Sequence, residues 1–542
     1  MSSAGKRRTG RGRRENERRD DGRSSGESTT PSLRQGFWLP PALTLALVLL
    51  SFVPRVRASS ALTWSFWGAA LALLTWQAVL FVRLKREPAG SSLRIALFPH
   101  HYVQASMQLV VFVYWSLYWR PVSEFVWLLV AQLVFAYAFS MLLAWSRRET
   151  YALGFGPVAI IFSTNLFLWF RDDWFYLQFL LIAVGFLGKE FVQWPRDGRS
   201  RHIFNPSGFS LGLFSVLLIA TGMTSELTLG EIIASTQGTG PHMYGVLFLV
   251  GLVVMYRFSV TLVAGSAAAT LFGLSALYTA WTGVPYFVDS EFPAPVFLGL
   301  LLLITDPSTS PKEPLGKLVF GGLYGVGVFA LYAMLARIGA PLFYDKLLCV
   351  PLLNLSVRRI DSTVRFLQDS ALWNRWVPDW APARSNLVHL SLWIVLFGSM
   401  TAMGRTDGTH QGDRVPFWLE ACDDDRRNAC DRVVQIEGVF CADDSGWSCN
   451  ELGGHYLRGE IVAPDSAQAL SWFARACRLR FQAGCVNLLE PGTFSRTVPK
   501  VLDLRLLLRE GGQDLTEMSE PELYARACEH GWTFACDRVG RP

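Results

Sequence analysis

Eight of the nine cysteines stand in four pairs, Cys422 and Cys430, Cys441 and Cys449, Cys477 and Cys485, Cys528 and Cys536, every pair separated by eight residues. Thiols so placed can oxidise to disulfides, bind zinc or stay reduced in a core. Zinc ligands usually come two to four residues apart, so the spacing favours disulfides. Within one continuous helix, eight residues hold two Cα atoms about 12 Å apart, against the roughly 7 Å that a disulfide tolerates. A bridged pair therefore needs a chain reversal between its members. "ALSWFARACRLRFQAGCVNLL" supplies one, with an amphipathic helix ending near Cys477, a short turn and a second helix beginning around Gly484. "ELYARACEHGWTFACDRV" repeats the arrangement with Gly531 in the turn. Bridged cysteines imply an oxidising compartment such as a bacterial periplasm. The ninth, Cys349, lies in an apolar stretch and reads as a small core residue.

A second group of polar residues interrupts apolar sequence. Lys189 and Glu190 end one apolar stretch, Asn205-Pro206 opens the next, and Asp306-Pro307 interrupts a later one ahead of Lys317. Proline removes an N–H and the preceding Asn or Asp can cap an exposed helix start, so Asn205 and Asp306 mark candidate helix breaks inside a membrane. The plain alternative is solvated helix-end charges and an N-cap. His100-His101 could ligate a metal, but no further ligand stands at matching spacing and an interfacial role is favoured. No G-x-x-x-x-G-K-[ST], H-E-x-x-H or C-x-x-C occurs, so nucleotide hydrolysis, zinc proteolysis and an iron–sulfur cluster have no motif behind them.

The elements that must position these residues are legible in composition. The chain of 542 residues is 51% hydrophobic and 17% charged, with 20 Trp and 37 Phe. That is an all-α, polytopic membrane protein, with about thirteen crossings expected between Phe37 and about Met403. Residues 1–36 carry ten Lys or Arg against five Asp or Glu and read as a disordered cytoplasmic tail, with no nucleic-acid partner expected. Alternate loops are basic, and this bias places the N-terminus inside and the C-terminus outside. The expected organisation is a tail (1–36), lead-in helices (37–97), a membrane core (98–357), a linker with a final helix (358–405) and a C-terminal domain (406–542).

The core resembles the NqrB/RnfD family, the large membrane subunits of the sodium-pumping NADH:quinone reductase and of the Rnf electron-transport complex. The resemblance rests on the Gly-Lys before "FNPSGF", on "YGVLFLVGLVVMYRFSVTLVAG", "TDPSTSP", "GKLVFGGLYGV" and "APLFYDKLLCVPLLNL", in the family's order over roughly 180–357. It implies two inverted five-helix repeats, redox partner subunits, cation coupling and a flavin between the repeats, FMN or riboflavin. The family attaches FMN to a Thr of a D-G-x-[ST]-G-A-T motif. The nearest equivalent here is "ASTQGTGP", with Thr239 the best positional match and Thr236 second, and it lacks the Asp-Gly. By the same resemblance Lys189, Asn205, Asp306 and Lys317 are candidate flavin contacts. The A-C-x7-C wording of residues 415–540 resembles Sel1-like repeats, a tetratricopeptide-related α-solenoid, and implies a periplasmic protein partner. The expected function is a membrane subunit of a flavin-dependent electron-transport complex in the bacterial inner membrane. The alternatives are a flavin-free channel or transporter on the same fold, or a membrane scaffold.

Overall fold

The computed structural model describes residues 38–86, 93–147, 149–196, 198–238, 240–287, 293–368, 382–406, 410–490, 492, 494–508, 515 and 518–539. The tail, the 369–381 linker and Thr239 lie outside the described residues. The described chain is helical apart from two small two-stranded pairings, β1 (Leu93–Ile95) parallel to β2 (Tyr151–Leu153), and β3 (Gln193–Arg196) antiparallel to β4 (Arg199–His202).

Among the described residues, fourteen helices longer than a single turn build the apolar part. They are α1 (Leu39–Leu50), α2 (Ser60–Arg86), α3 (Pro99–Tyr118), α4 (Val126–Ser146), α5 (Gly156–Asn165), α6 (Tyr176–Phe191), α7 (Pro206–Thr221), α8 (Gly230–Thr236), α9 (Met243–Phe258), α10 (Thr261–Thr282), α11 (Ala294–Leu302), α12 (Pro314–Arg337), α13 (Asp345–Gln368) and α14 (Pro382–Ala402). Among the described residues, five are long and apolar enough to cross a bilayer: α2, α4, α10, α12 and α14. Three shorter ones, α1, α7 and α9, are equally apolar. The expected thirteen crossings do not all appear as full-length rods, because several apolar stretches are divided. Helix α5 has ten residues and α11 nine, and every residue of α11 is buried. The outer surface stays apolar, with Trp64 72%, Leu117 72% and Val395 65% exposed, a surface suited to lipid and not to water.

One packing scheme occurs twice. In the series α3 to α7, the short α5 lies against α3, α4 and α7, while α6 packs on α4 and α7. In the series α9 to α13, the short α11 lies against α9, α10 and α13, while α12 packs on α10 and α13. The two series meet through α3 with α9 and through α7 with α13, the first and last members of each. The closest approach is α10 on α12. A Cβ at Gly321 would stand 2.1 Å from both the Val263 carbonyl oxygen and Ser266 Oγ, and one at Gly325 would stand 2.9 Å from the Ala267 carbonyl oxygen. Two glycines four apart let the backbones touch, the device by which apolar helices associate without a hydrophobic drive between them.

The C-terminal region contains α15 (Val415–Asp423), α16 (Ala429–Ala442), α17 (Gly446–Arg458), α18 (Ser466–Arg478), α19 (Gln482–Leu489), α20 (Val501–Leu507), α21 (Glu520–Glu529) and α22 (Thr533–Val539). All four cysteine pairs are bridged, with Cα atoms 4.5 to 4.8 Å apart. Each bridge joins the last turn of one helix to the first turn of the next, as the eight-residue spacing requires. All four reversals share one geometry. The third residue after the first cysteine, Asp425, Asp444, Arg480 or Gly531, is left-handed, with φ of 54°, 72°, 61° and 92°. Its N–H donates to the carbonyl of that first cysteine, and the next N–H donates to the carbonyl of the alanine or phenylalanine before it. This is the paired hydrogen bonding of a Schellman turn. The region grips the bundle through the α10 end: Arg426 donates to the Gly283 carbonyl at 3.4 Å and Arg432 to that of Tyr286 at 3.3 Å.

Candidate functional site

The short helices α5 and α11 stop inside the bundle, and their last carbonyls need partners that apolar neighbours cannot give. At the end of α11, the Leu303 carbonyl accepts from Asn205 Nδ2 at 3.2 Å. Asn205 also caps α7, its Oδ1 accepting from the Gly208 N–H at 3.1 Å and from Ser207 Oγ at 2.7 Å. Its own N–H donates to Asn354 Oδ1 at 3.1 Å, and Asn354 Nδ2 donates to the Thr309 carbonyl at 3.2 Å. Asn205 thus ties together the end of α11, the start of α7 and the middle of α13, and it is 4% exposed.

The end of α5 is closed in the same manner by other residues. Gln132 of α4, Asn165 of α5 and Gln178 of α6 are completely buried and hydrogen-bond one another, Asn165 Nδ2 donating to Gln132 Oε1 at 2.7 Å and Gln132 Nε2 to Asn165 Oδ1 at 3.1 Å. Gln178 Oε1 accepts from the Phe170 N–H at 3.0 Å. Beyond α8, Gln237 Nε2 donates to the Leu166 carbonyl. Sequence reasoning missed these glutamines. The available signal was four glutamines, at 108, 132, 178 and 237, in or beside otherwise apolar stretches.

The five sequence-derived candidates among the described residues separate. Lys189, Asn205 and Asp306 gather at one end. Asp306 Oδ1 accepts from Ser308 Oγ at 2.5 Å and from the Ser308 N–H at 2.9 Å, while His202 Nε2 lies 2.9 Å from Ser308 Oγ and 3.8 Å from Asp306 Oδ2. Asp306 does not cap a helix start, contrary to expectation. The next helix begins only at Pro314, so its carboxylate closes a turn and faces His202. Burial alone would raise this carboxyl, but the His202 bond and charge, with both Ser308 donors, more than offset it and hold it at about 2. The pair His100-His101 stands within electrostatic reach of Asp306, and Lys189 within reach of His101. The neighbouring Glu190 carboxylate is held by Arg147 at 2.7 Å, and Arg196 bridges Asp361 at 2.7 Å while donating to the Ser308 and Ser310 carbonyls.

Lys317, at the same end, has a separate partner, donating to the Ser259 carbonyl at 2.8 Å and so closing the left-handed end of α9. Thr236 lies beyond the far end of α7, whose sixteen residues span about 24 Å, and its hydroxyl donates to the Ile233 carbonyl at 3.2 Å. Near it, where α3, α9 and α11 converge, a hollow lined by Val111, Trp115, Gln237, Met243 and Leu298 is too narrow to admit a water-sized sphere. A flavin ring there requires α3 and α9 to part. Among the described residues no group of three or more His, Cys, Asp or Glu is placed to hold a metal ion. No protein-family model, no curated protein and no solved structure matches the chain.

Proposed function

We propose that the chain is a membrane subunit of a bacterial electron-transport complex, built on two inverted five-helix repeats of the NqrB/RnfD kind with a flavin held where they meet. The single observation that carries this reading is the recurring packing scheme. Two series of five elements each place a short helix third, and each short helix ends on buried amide side chains. An odd number of crossings per series would turn the second copy over. Broken helices near such an axis are where membrane proteins position polar guests. FMN or riboflavin would be bound non-covalently, since Thr236 is committed to its own helix and the Asp-Gly of the attachment motif is missing.

Sidedness is part of the same proposal. Arg147, Lys189, Arg196 and Lys317 gather at one end of the bundle, which is taken as cytoplasmic. The disulfide-linked region adjoins the other, where Asp172 pairs with Arg55 at 2.8 Å, and an oxidising periplasm suits its four bridges. Its paired helices would recruit a soluble partner, as Sel1-like repeats do.

The test is an absorbance spectrum of the full-length protein extracted from membranes, taken before and after denaturation. Flavin bands released by denaturation are the expected result. Bands retained on the chain would point to covalent attachment, and a colourless protein would overturn the redox reading. A second reading, a flavin-free transporter, is favoured by one observation: Gln237, inside the loop that aligns with the attachment motif, closes the end of α5 with its own amide. A colourless protein that dissipates an ion or solute gradient in proteoliposomes would establish it.

A further inference from the structure

The C-terminal region buries a charged cluster that neither the disulfides nor the membrane core explains. Glu437 of α16 and Glu451 of α17 are fully buried, and His455, one turn beyond Glu451, is 5% exposed. His455 Nε2 stands 3.1 Å from Glu437 Oε2. Among the described residues no hydrogen bond reaches either oxygen of Glu437 or either ring nitrogen of His455, so this close approach is their one polar contact. Glu451 is held from outside, its Oε2 accepting from Arg496 Nε at 2.7 Å.

Arg496 belongs to the segment 494–500, which breaks the helical repeat and lies across α17 as a strap. The Ser495 carbonyl accepts from Asn487 Nδ2 at 2.9 Å, the Thr497 carbonyl accepts from Trp447 Nε1 at 3.1 Å, and Arg458 covers the Phe494 ring at 4.4 Å. Among the described residues the charged groups facing Glu437 are His455 and Glu451 of α17 and Arg496 of the strap; α15, α18 and α19, packed against α16 and α17, contribute none.

The charges balance in only one protonation state. Glu451 and Arg496 cancel. Glu437 and His455 sum to zero when they carry one proton, on either the imidazole or the carboxyl, and to minus one when they carry none. A net charge without solvent is strongly disfavoured, and the proton belongs to the pair and not to one residue. We propose that Glu437 and His455 hold a single proton between them, and that this proton keeps the strap seated on α17, so the C-terminal region loosens as the surrounding pH rises.

Burial raises both Glu437 and Glu451 above the ordinary glutamate value of 4.5. The folded region therefore binds more protons than the unfolded chain, and its stability falls as pH climbs from that value through the folded one. Loss of the shared proton sets two carboxylates against each other. Glu451 is the one with a route to water, because its partner Arg496 is 54% exposed, and its outward movement lifts the strap.

Hydrogen-exchange mass spectrometry on the full-length protein in lipid nanodiscs tests this at about pH 6 and about pH 9, with intrinsic rates divided out. Protection of peptides spanning 446–458 and 494–508 is expected to fall about tenfold at the higher pH, the equivalent of one pKa unit. Glu437→Gln mimics the protonated carboxyl and should stay protected at both. E451Q should lose protection of the strap at both. Equal protection of the wild-type protein at the two pH values, or a full tenfold response in E437Q, would overturn the proposal. If E437Q fails to fold, seen as lost protection at 415–442 as well, His455→Gln decides. It leaves the proton to Glu437 alone and should move the transition to lower pH; an unmoved transition would equally overturn the proposal.

Discussion

Cys441 and Cys449 close a helical hairpin across eight residues, while Asn205 and Leu303 close a helix end across 98. In the C-terminal region each reversal is settled locally, by a left-handed residue three positions after a cysteine and a covalent bond eight positions on. In the bundle the same need, satisfying backbone groups where a helix stops, is met by side chains brought from other helices. Water explains the difference. A hairpin end at a solvated surface can leave carbonyls to solvent, whereas α5 and α11 end among apolar side chains and must import donors.

The comparison predicts a sharp division under perturbation. The largest effect belongs to Gly321→Leu. With no space between α10 and α12, overpacking should cost about 3 kcal/mol or more, and detergent-extracted protein should lose its monodisperse gel-filtration peak. Reducing the disulfides, or replacing Cys441 and Cys449 by Ser, should lower the stability of the C-terminal region by about 2–4 kcal/mol per bridge while the bundle, whose Cys349 is a buried free thiol, keeps its melting point. A bundle that melts together with the reduced region would break the division. Asn205→Ala removes a cap and leaves the Leu303 carbonyl unpaired, which should cost about 2 kcal/mol in thermal unfolding of the bundle and leave the disulfide-linked region untouched.

Acidity should separate the two regions by sign. Asp306 is depressed from 3.8 to about 2. Its contribution is fully present above the ordinary value and is lost as pH falls through the folded one, about 2 kcal/mol in all. The C-terminal carboxylates are raised, and their region weakens in the opposite direction, with rising pH. Unfolding scans from about pH 2 to about pH 9, read by hydrogen-exchange protection of bundle peptides and, separately, of 446–458, should show the opposed slopes; parallel slopes would remove the distinction. The smallest effect is Arg480→Gly. The left-handed residue there matches Gly531 of the last hairpin, and removing its Cβ should raise the melting point by an amount worth about 0.5 kcal/mol.

Much of this was legible residue by residue. The spacing of the cysteines predicts a reversal within each pair, and all four occur. The Asn205-Pro206 cap follows from its side-chain chemistry, and α7 begins there. Asp306 illustrates the limit. An Asp before Pro reads as a helix cap, yet its partner is His202, 104 residues earlier, reached only because β4 and the turn after α11 meet. Lys317, near the start of α12, likewise donates to the end of α9, because Ser259 leaves a carbonyl facing it. Thr236 was placed by the family resemblance alone, and the fold turns its hydroxyl back into α8.

The amino-acid order by itself determined the helix start at Asn205-Pro206, which cysteines pair, and that the bulk of the chain is apolar enough for lipid. Those properties depend on neighbours within a turn or two, where side-chain type and backbone geometry act directly. Only the tertiary structure decided which buried glutamine closes which helix end, that two series of five elements pack by one scheme, and that Glu437 shares its site with His455. Such pairings are contests among distant groups for a few unsatisfied carbonyls and charges, and their outcome depends on which helices touch.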